Sequence, residues 1–211
     1  MAQYFAVHPT HPQARLVRQA AEIVRRGGLI AYPTNSCYAL GCHLGDADAL
    51  RRLRRVRGVD EKHHLTLMCL DLSQLAAYAV YDNAQFRLLK AAAPGPYTFI
   101  LRGTREVPRR LLHPNRKTIG ARIAAHAVAR ALLAELGEPM LSATLQLPGS
   151  AAPLADARAI RAVLEHELDL VVDGGACGTE PSTVVDLTGE SAVVMRVGKG
   201  ALELFGPAAV L

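Results

Sequence analysis

The chain has 211 residues, half of them apolar, and a net charge of +5, which suits one domain, residues 1–211, with a sizeable core. No stretch reaches the ~20 apolar residues of a membrane span, and the opening Met-Ala-Gln-Tyr-Phe-Ala lacks the charged flank and apolar run of an export signal, so a cytoplasmic protein is expected. Cys37, Cys42, Cys69 and Cys177 are scattered without a CxxC pair, which predicts reduced core thiols and no metal site.

In chain order, Leu16, Ala20, Ile23 and Val24 give residues 12–26 a helical face, stopped by Gly27-Gly28. Leu29 to Tyr32 reads as a buried strand that Pro33 must end, because proline cannot donate to a ladder. Thr34, Asn35 and Ser36 then present small hydrogen-bonding groups at a strand's C-terminal edge, where open α/β sheets hold ligands. Read alone, they make an ordinary polar turn between a strand and a helix.

Asp46 or Asp48 caps a helix bearing Ala49, Leu50, Leu53 and Val56, with its arginines on the outer face and Gly58 as its stop. A strand over 65–70, a short helix from Asp71 and a helix capped by Asp82 or Asn83 follow, ending at Pro94-Gly95-Pro96. Tyr97 to Leu101 is β-rich. Arg102 to Lys117 reads as a long exposed loop with one short helical piece. Beyond it the pattern predicts a strand over 118–123, a helix over 126–136 stopped by Gly137, and a strand over 139–145. Asp156 caps a helix carrying Ile160, Val163 and Leu164, and strands over 169–173, 182–187 and 192–196 complete the chain. Such alternation followed by closely spaced strands predicts an α/β domain on a mixed sheet.

Two basic blocks stand out, one of Arg51, Arg52, Arg54, Arg55, Arg57 and Lys62, the other of Arg102, Arg105, Arg109, Arg110, Arg116 and Lys117. Uneven basic charge points to an anionic ligand such as a nucleotide or RNA, although a solvated helix face accounts for either block alone. Arg122 lies within an apolar strand, where a guanidinium needs a carboxylate or phosphate, Asp186 being the internal candidate. Alternation turns Ser142, Thr144 and Gln146 to one face. GxSxG, GxxxxGK[ST], GxGxxG and HExxH spacings are missing, and the eight histidines read as surface or hydrogen-bonded residues.

Eight segments in order resemble the YrdC-like family of threonylcarbamoyl-AMP synthases, nearest its YciO-like branch. They are Tyr32-Pro33-Thr34, Tyr38 to Cys42, Arg55-Val56-Arg57, Pro94 to Thr98, Thr118 to Arg122, Ser142 to Gly149, Ser182 to Asp186, and Arg196-Val197-Gly198. The resemblance implies an open twisted mixed sheet with flanking helices and a large basic cavity. It implies synthesis of threonylcarbamoyl-AMP from L-threonine, bicarbonate and ATP, with Mg²⁺ neutralising the triphosphate and pyrophosphate released. Partner proteins would carry the group to tRNA. By position, Thr34, Arg122, Ser142 and Ser182 would hold threonine, Ser182 at its junction with the nucleotide. Arg57, Lys62, Thr118, Thr144 and Arg196 would line the nucleotide side, and Arg55, Arg57, Thr144 and Gln146 would occupy the catalytic positions.

Three of these positions differ from the family's Lys-x-Arg and Ser-x-Asn pairs. Arg55 stands for the lysine, Thr144 for the serine and Gln146 for the asparagine. Arginine and lysine are not interchangeable at a tight phosphate site. The alternative implied by these departures is a paralogue that grips nucleotide, tRNA or double-stranded RNA without synthesis, or that hydrolyses the threonylcarbamoyl product.

Overall fold

A computed structural model describes residues 1–205 and the backbone of 209–210. Among the described residues, all six α-helices but the first have an N-terminal side-chain cap. Helix α1 (Ala14–Arg25) buries Val17, Ala20, Ala21 and Val24. Asp46 caps α2 (Ala47–Arg57) by accepting from the N–H groups of Asp48 and Ala49, and Gly58 closes it at φ 60°. Asp71 caps α3 (Leu72–Tyr78), and Asp82 with Gln85 forms a reciprocal capping box on α4 (Asn83–Ala92). His126 caps α5 (Ala127–Leu136), which Gly137 ends, and Asp156 caps α6 (Ala157–Leu164). Val163, expected on the buried face of α6, is 58% exposed; Ala157, Ile160 and Leu164 carry that contact.

The strands are β1 (Gln3–Ala6), β2 (Ile30–Tyr32), β3 (Ala39–His43), β4 (Thr66–Cys69), β5 (Ala79–Val80), β6 (Tyr97–Gly103), β7 (Thr118–Ile123), β8 (Met140–Thr144), β9 (Leu170–Asp173), β10 (Thr183–Asp186), β11 (Val193–Arg196) and β12 (Ala209–Val210). They form one mixed sheet in the order β1-β9-β2-β3-β8-β4-β7-β6-β10-β11-β12, with β5 pairing the far end of β6. Four of these strands, β1, β3, β5 and β12, are absent from the sequence reading, and the first two change the architecture most. The opening segment is a strand, β1, parallel to β9. Residues beyond Ser36 do not lead into a helix: Ala39–His43 returns antiparallel to β2 and pairs on its other side with β8.

Helices α1 and α5 pack on one face of the sheet, over Ile30, Tyr32, Met140, Leu170 and Val172. Helices α2 and α6 cover the other, over Ala31, Leu40, Leu141 and Val171. Leu50 and Leu53 of α2 are almost wholly buried, each worth about 1.5–3 kcal/mol of transfer free energy. That anchorage fixes where the helix C-terminus and Arg57 come to rest. Arg102 and Gly103, expected in the loop, extend β6; residues 104–117 form the loop with one 3₁₀ turn (Arg109–Leu111), and Val107 and Leu111 plug into the core. None of the described helices is long and apolar enough to cross a membrane.

Candidate functional site

Register assembles the site. Ile100 of β6 pairs Gly120 of β7, Gly120 pairs Thr66 of β4, and Thr66 pairs Ser142 of β8. In the adjoining row Arg122 pairs Met68 and Val184 pairs both Thr98 and Arg196. Because side chains alternate along a strand, these rows share a face with Tyr32 and Met140. That is the α1/α5 side of the sheet, beyond the reach of either helix. The uncovered part forms a cavity of about 320 Å³, roofed by the 58–65 loop and walled by β10 and β11.

Three guanidinium groups enter this space, with no aspartate or glutamate among the residues that line it. Arg122 is 6% exposed and donates to Thr34 Oγ1 at 3.4 Å and to Asn35 Oδ1. Its Nε has no partner among the described residues. Arg57 leaves the last turn of α2, donates to the Gln146 carbonyl, and likewise has an unsatisfied Nε. Arg196 donates to the Ser182 carbonyl at 2.8 Å. Burial holds all three below the usual arginine range, and the positive charge of Arg196 lowers Arg57 and Arg122 further. Concentrated positive charge without a counter-charge is costly in a low-dielectric recess, and an anionic guest relieves it.

The remaining polar groups are uncharged. Thr34 Oγ1 meets the Cys37 carbonyl at 2.7 Å and Ser36 Oγ at 3.1 Å, which fixes the turn after β2. Ser142 Oγ and Tyr32 Oη lie 2.7 Å apart, and burial pushes the Tyr32 phenol up to about 12, so it stays a neutral partner. Ser182 Oγ meets Thr98 Oγ1 at 2.8 Å.

The expected residues Thr34, Arg57, Lys62, Arg122, Ser142, Thr144, Gln146, Ser182 and Arg196 all line this one cavity. Two do not. Arg55 lies on the opposite side of α2, paired with Glu167 at 2.6 Å with its side chain 67% exposed. Thr118 is buried beside the cavity, its hydroxyl 2.9 Å from His64 Nε2. It opens on a neighbouring recess with Arg102, Arg116 and Asp186. Asp186 is not the partner of Arg122; it pairs Arg116 at 3.2 Å.

The basic blocks also change meaning. Arg51, Arg52, Arg54 and Arg55 are each answered by a carboxylate, from Asp48, Asp169, Glu61 and Glu167. Against the expectation that all arginines of α2 face out, Arg57 enters the cavity and Arg54 is largely covered, its side chain 17% exposed. Of the histidines read as surface or hydrogen-bonded, His63 is exposed and His64 is hydrogen-bonded to Thr118, and both also border the cavity. His64 is stacked on His113 with centroids 4.8 Å apart. No cysteine is paired, and Cys177 is only partly buried while the other three are core thiols. Among the described residues no group of His, Cys, Asp and Glu is arranged to hold a metal ion.

Fold and site together define an α/β protein with a carboxylate-free, arginine-lined cavity at the open end of its sheet. A family profile described as "Telomere recombination" (Sua5_yciO_yrdC) matches residues 22–198, and the chain belongs to the Sua5/YciO/YrdC family. It is 52% identical over 205 residues to the uncharacterized protein YciO of Escherichia coli K12, covering 97% of this chain and 100% of that one. The crystal structure of E. coli YciO superposes with a TM-score of 0.95 over 97% of this chain and 100% of the other. A threonylcarbamoyl-AMP synthase of Chromobacterium violaceum is 35% identical over 189 residues, 89% of this chain and 96% of its own. The crystal structure of P. abyssi Sua5 complexed with L-threonine superposes at TM-score 0.89 with 26% identity, over 99% of this chain and 62% of that one. The open mixed sheet with flanking helices is thus the YrdC-like fold, and proteins named threonylcarbamoyl-AMP synthases are among the chain's relatives.

Proposed function

We propose that the cavity binds L-threonine and an adenosine nucleotide together, and that the protein makes threonylcarbamoyl-AMP from L-threonine, bicarbonate and ATP. The observation that carries this reading is the meeting of Arg57, Arg122 and Arg196 in one cavity without a carboxylate. A ligand with two separated anionic groups suits it, a carboxylate beside Arg122, Thr34 and Ser142, and a phosphate between Arg57 and Arg196. Threonine nitrogen bonds the carbon of bicarbonate with loss of water. The carbamate oxygen then attacks the α-phosphorus, and the electron pair leaves with pyrophosphate. Holding both partners in one recess makes the second step effectively intramolecular, and fixed guanidinium groups stabilise charge spreading over the phosphoryl oxygens. Ser182, bonded to Thr98 and Arg196, stands at the junction of the two halves. The wall offers hydroxyl and amide oxygens but no carboxylate. It therefore does not fit a resident Mg²⁺ cage, and that ion would arrive on the phosphates of ATP.

A second reading, favoured by Arg55 and Gln146, is a paralogue that grips a nucleotide or RNA in the same cavity without synthesis. Arg55 is committed to Glu167, and the Gln146 amide donates to the Ser150 carbonyl at 2.8 Å. The deciding experiment incubates the protein with ATP, threonine and bicarbonate and follows pyrophosphate, with a threonine-free control. Threonine-dependent release supports synthesis. Binding of AMP or RNA with no such release supports the paralogue, and RNA affinity should then fall steeply with salt.

A further inference from the structure

The loop over 58–65 carries a histidine that neither the family resemblance nor the substrate assignment uses. His63 stands at the cavity rim beside Lys62 and His64. No hydrogen bond holds its ring among the described residues, whereas His64 is held by Thr118 and the ring of His113. The charged groups facing His63 are Arg54 and Arg57 from α2, Arg196 from β11, His64 beside it and Asp60 of its own loop. Of these only Asp60 is negative. The residue is exposed on its outer side; desolvation where the ring faces the cavity, then repulsion from Arg57 and Arg196, holds the imidazole below the usual histidine range.

We propose that His63 is a further phosphate ligand of this cavity, one that takes up a proton when phosphate docks between Arg57 and Arg196. The inference rests on the anion-binding half of the proposed function. A phosphate there leaves the desolvation in place but cancels the repulsion from the two arginines, and adds an anion for the imidazolium to face. Empty, the site avoids a further positive charge. Filled, it gains another charge-assisted donor at the phosphate end. The sign of the coupling follows. Binding raises the histidine's pKa, so phosphate affinity tightens as pH falls through the bound-state value toward the free-state value. A carboxylate seated only at Arg122 does not engage it, so His63 discriminates phosphate-bearing ligands from free amino acids.

The test is an NMR titration of the histidine ring protons, with and without saturating AMP, the His63 signal being assigned from the His63→Gln variant. The expected result is an upward shift of about one pKa unit or more on adding AMP, which by linkage is about a tenfold change in affinity between its two protonation states. Above pH 6.5 the AMP phosphate is largely dianionic, its second pKa being about 6. Over pH 6.5 to 8.5, His63→Gln should therefore weaken AMP several-fold at the acid end and hardly at all at the alkaline end. An unchanged or lowered His63 pKa with AMP bound overturns the proposal. So does an equal loss of affinity at both pH values, which is the mark of a structural role, and so does failure of AMP to bind. If AMP shifts His63 but threonine-dependent pyrophosphate release is absent, synthesis falls and the phosphate ligand stands.

Discussion

Arg122 of β7 and Thr34 beyond β2 meet across the cavity floor, Nη2 to Oγ1 at 3.4 Å, and no carboxylate balances the guanidinium. A buried cation answered only by a hydroxyl and an amide is a poor stabiliser and a good anion receptor.

Arg122→Met should therefore separate stability from binding. Thermal unfolding is expected at the same or a higher temperature, because desolvation of the charge is no longer required. Threonine affinity should drop by about 2 kcal/mol, roughly 30-fold, through loss of a charge-assisted pair. Calorimetric titration beside a melting curve checks both. An unaltered threonine titration would remove Arg122 from the site.

Arg55→Ala and Arg57→Ala make the second comparison. Removing the exposed Arg55–Glu167 pair should change stability by less than ~1 kcal/mol and leave nucleotide binding intact. Losing Arg57 should weaken AMP by tenfold or more, on the order of 1.5–3 kcal/mol for a charged hydrogen bond. Equal effects of the two substitutions on AMP titrations would contradict the geometry.

Acid pH supplies the third. Burial holds His64 and His126 below the usual histidine range, so the fold favours their neutral forms. Their contribution to stability is present above about pH 6.5 and is lost as pH falls below it through their folded values. The urea midpoint should be lower at pH 5 than at pH 7.5, with a smaller difference in His126→Gln. A midpoint indifferent to pH in this window would refute the assignment.

Gly58→Ala tests the helix end that delivers Arg57. A Cβ there would sit 2.6 Å from Pro148 Cγ at φ 60°. A loss of ~1 kcal/mol or more is expected from strain alone, together with weaker AMP binding as Arg57 shifts. Chemical denaturation at pH 7.5 measures the first effect, and an undisturbed denaturation midpoint would show that the turn tolerates a side chain.

Much of this was readable beforehand because caps and turns are local chemistry. Asp46, Asp82, Asp156, Gly58 and Gly137 each act within a few residues, and each delimits the helix its position predicts. The inward set on β8 followed from strand alternation. Strand β3 was hidden because Ala39-Leu40-Gly41-Cys42 has little β-branched content, and only its partners β2 and β8 make it a strand. That Arg55 and Arg57 point to different sides of α2 was legible. Residues two apart on an α-helix are separated by about 200°, so one arginine turned to the cavity requires the other to face away. Signals from distant partners were out of reach, such as Glu167 for Arg55 or Thr118 for His64. The position of His63 at the rim depends on how the 58–65 loop crosses the sheet, which no local pattern specifies.

Thr34, Arg57, Ser142 and Arg196 are contributed by segments spread over more than 160 positions of sequence, joined only through neighbouring ladders of one sheet. No short fragment of the chain can therefore hold the guest, and partial unfolding at the β10–β11 end of the sheet should remove Ser182 and Arg196 from it. Occupancy and global folding are thermodynamically tied, so a genuine occupant must raise the melting temperature progressively with its concentration. Thermal-shift screening of phosphorylated metabolites is thus a direct route to the molecule this protein evolved to hold.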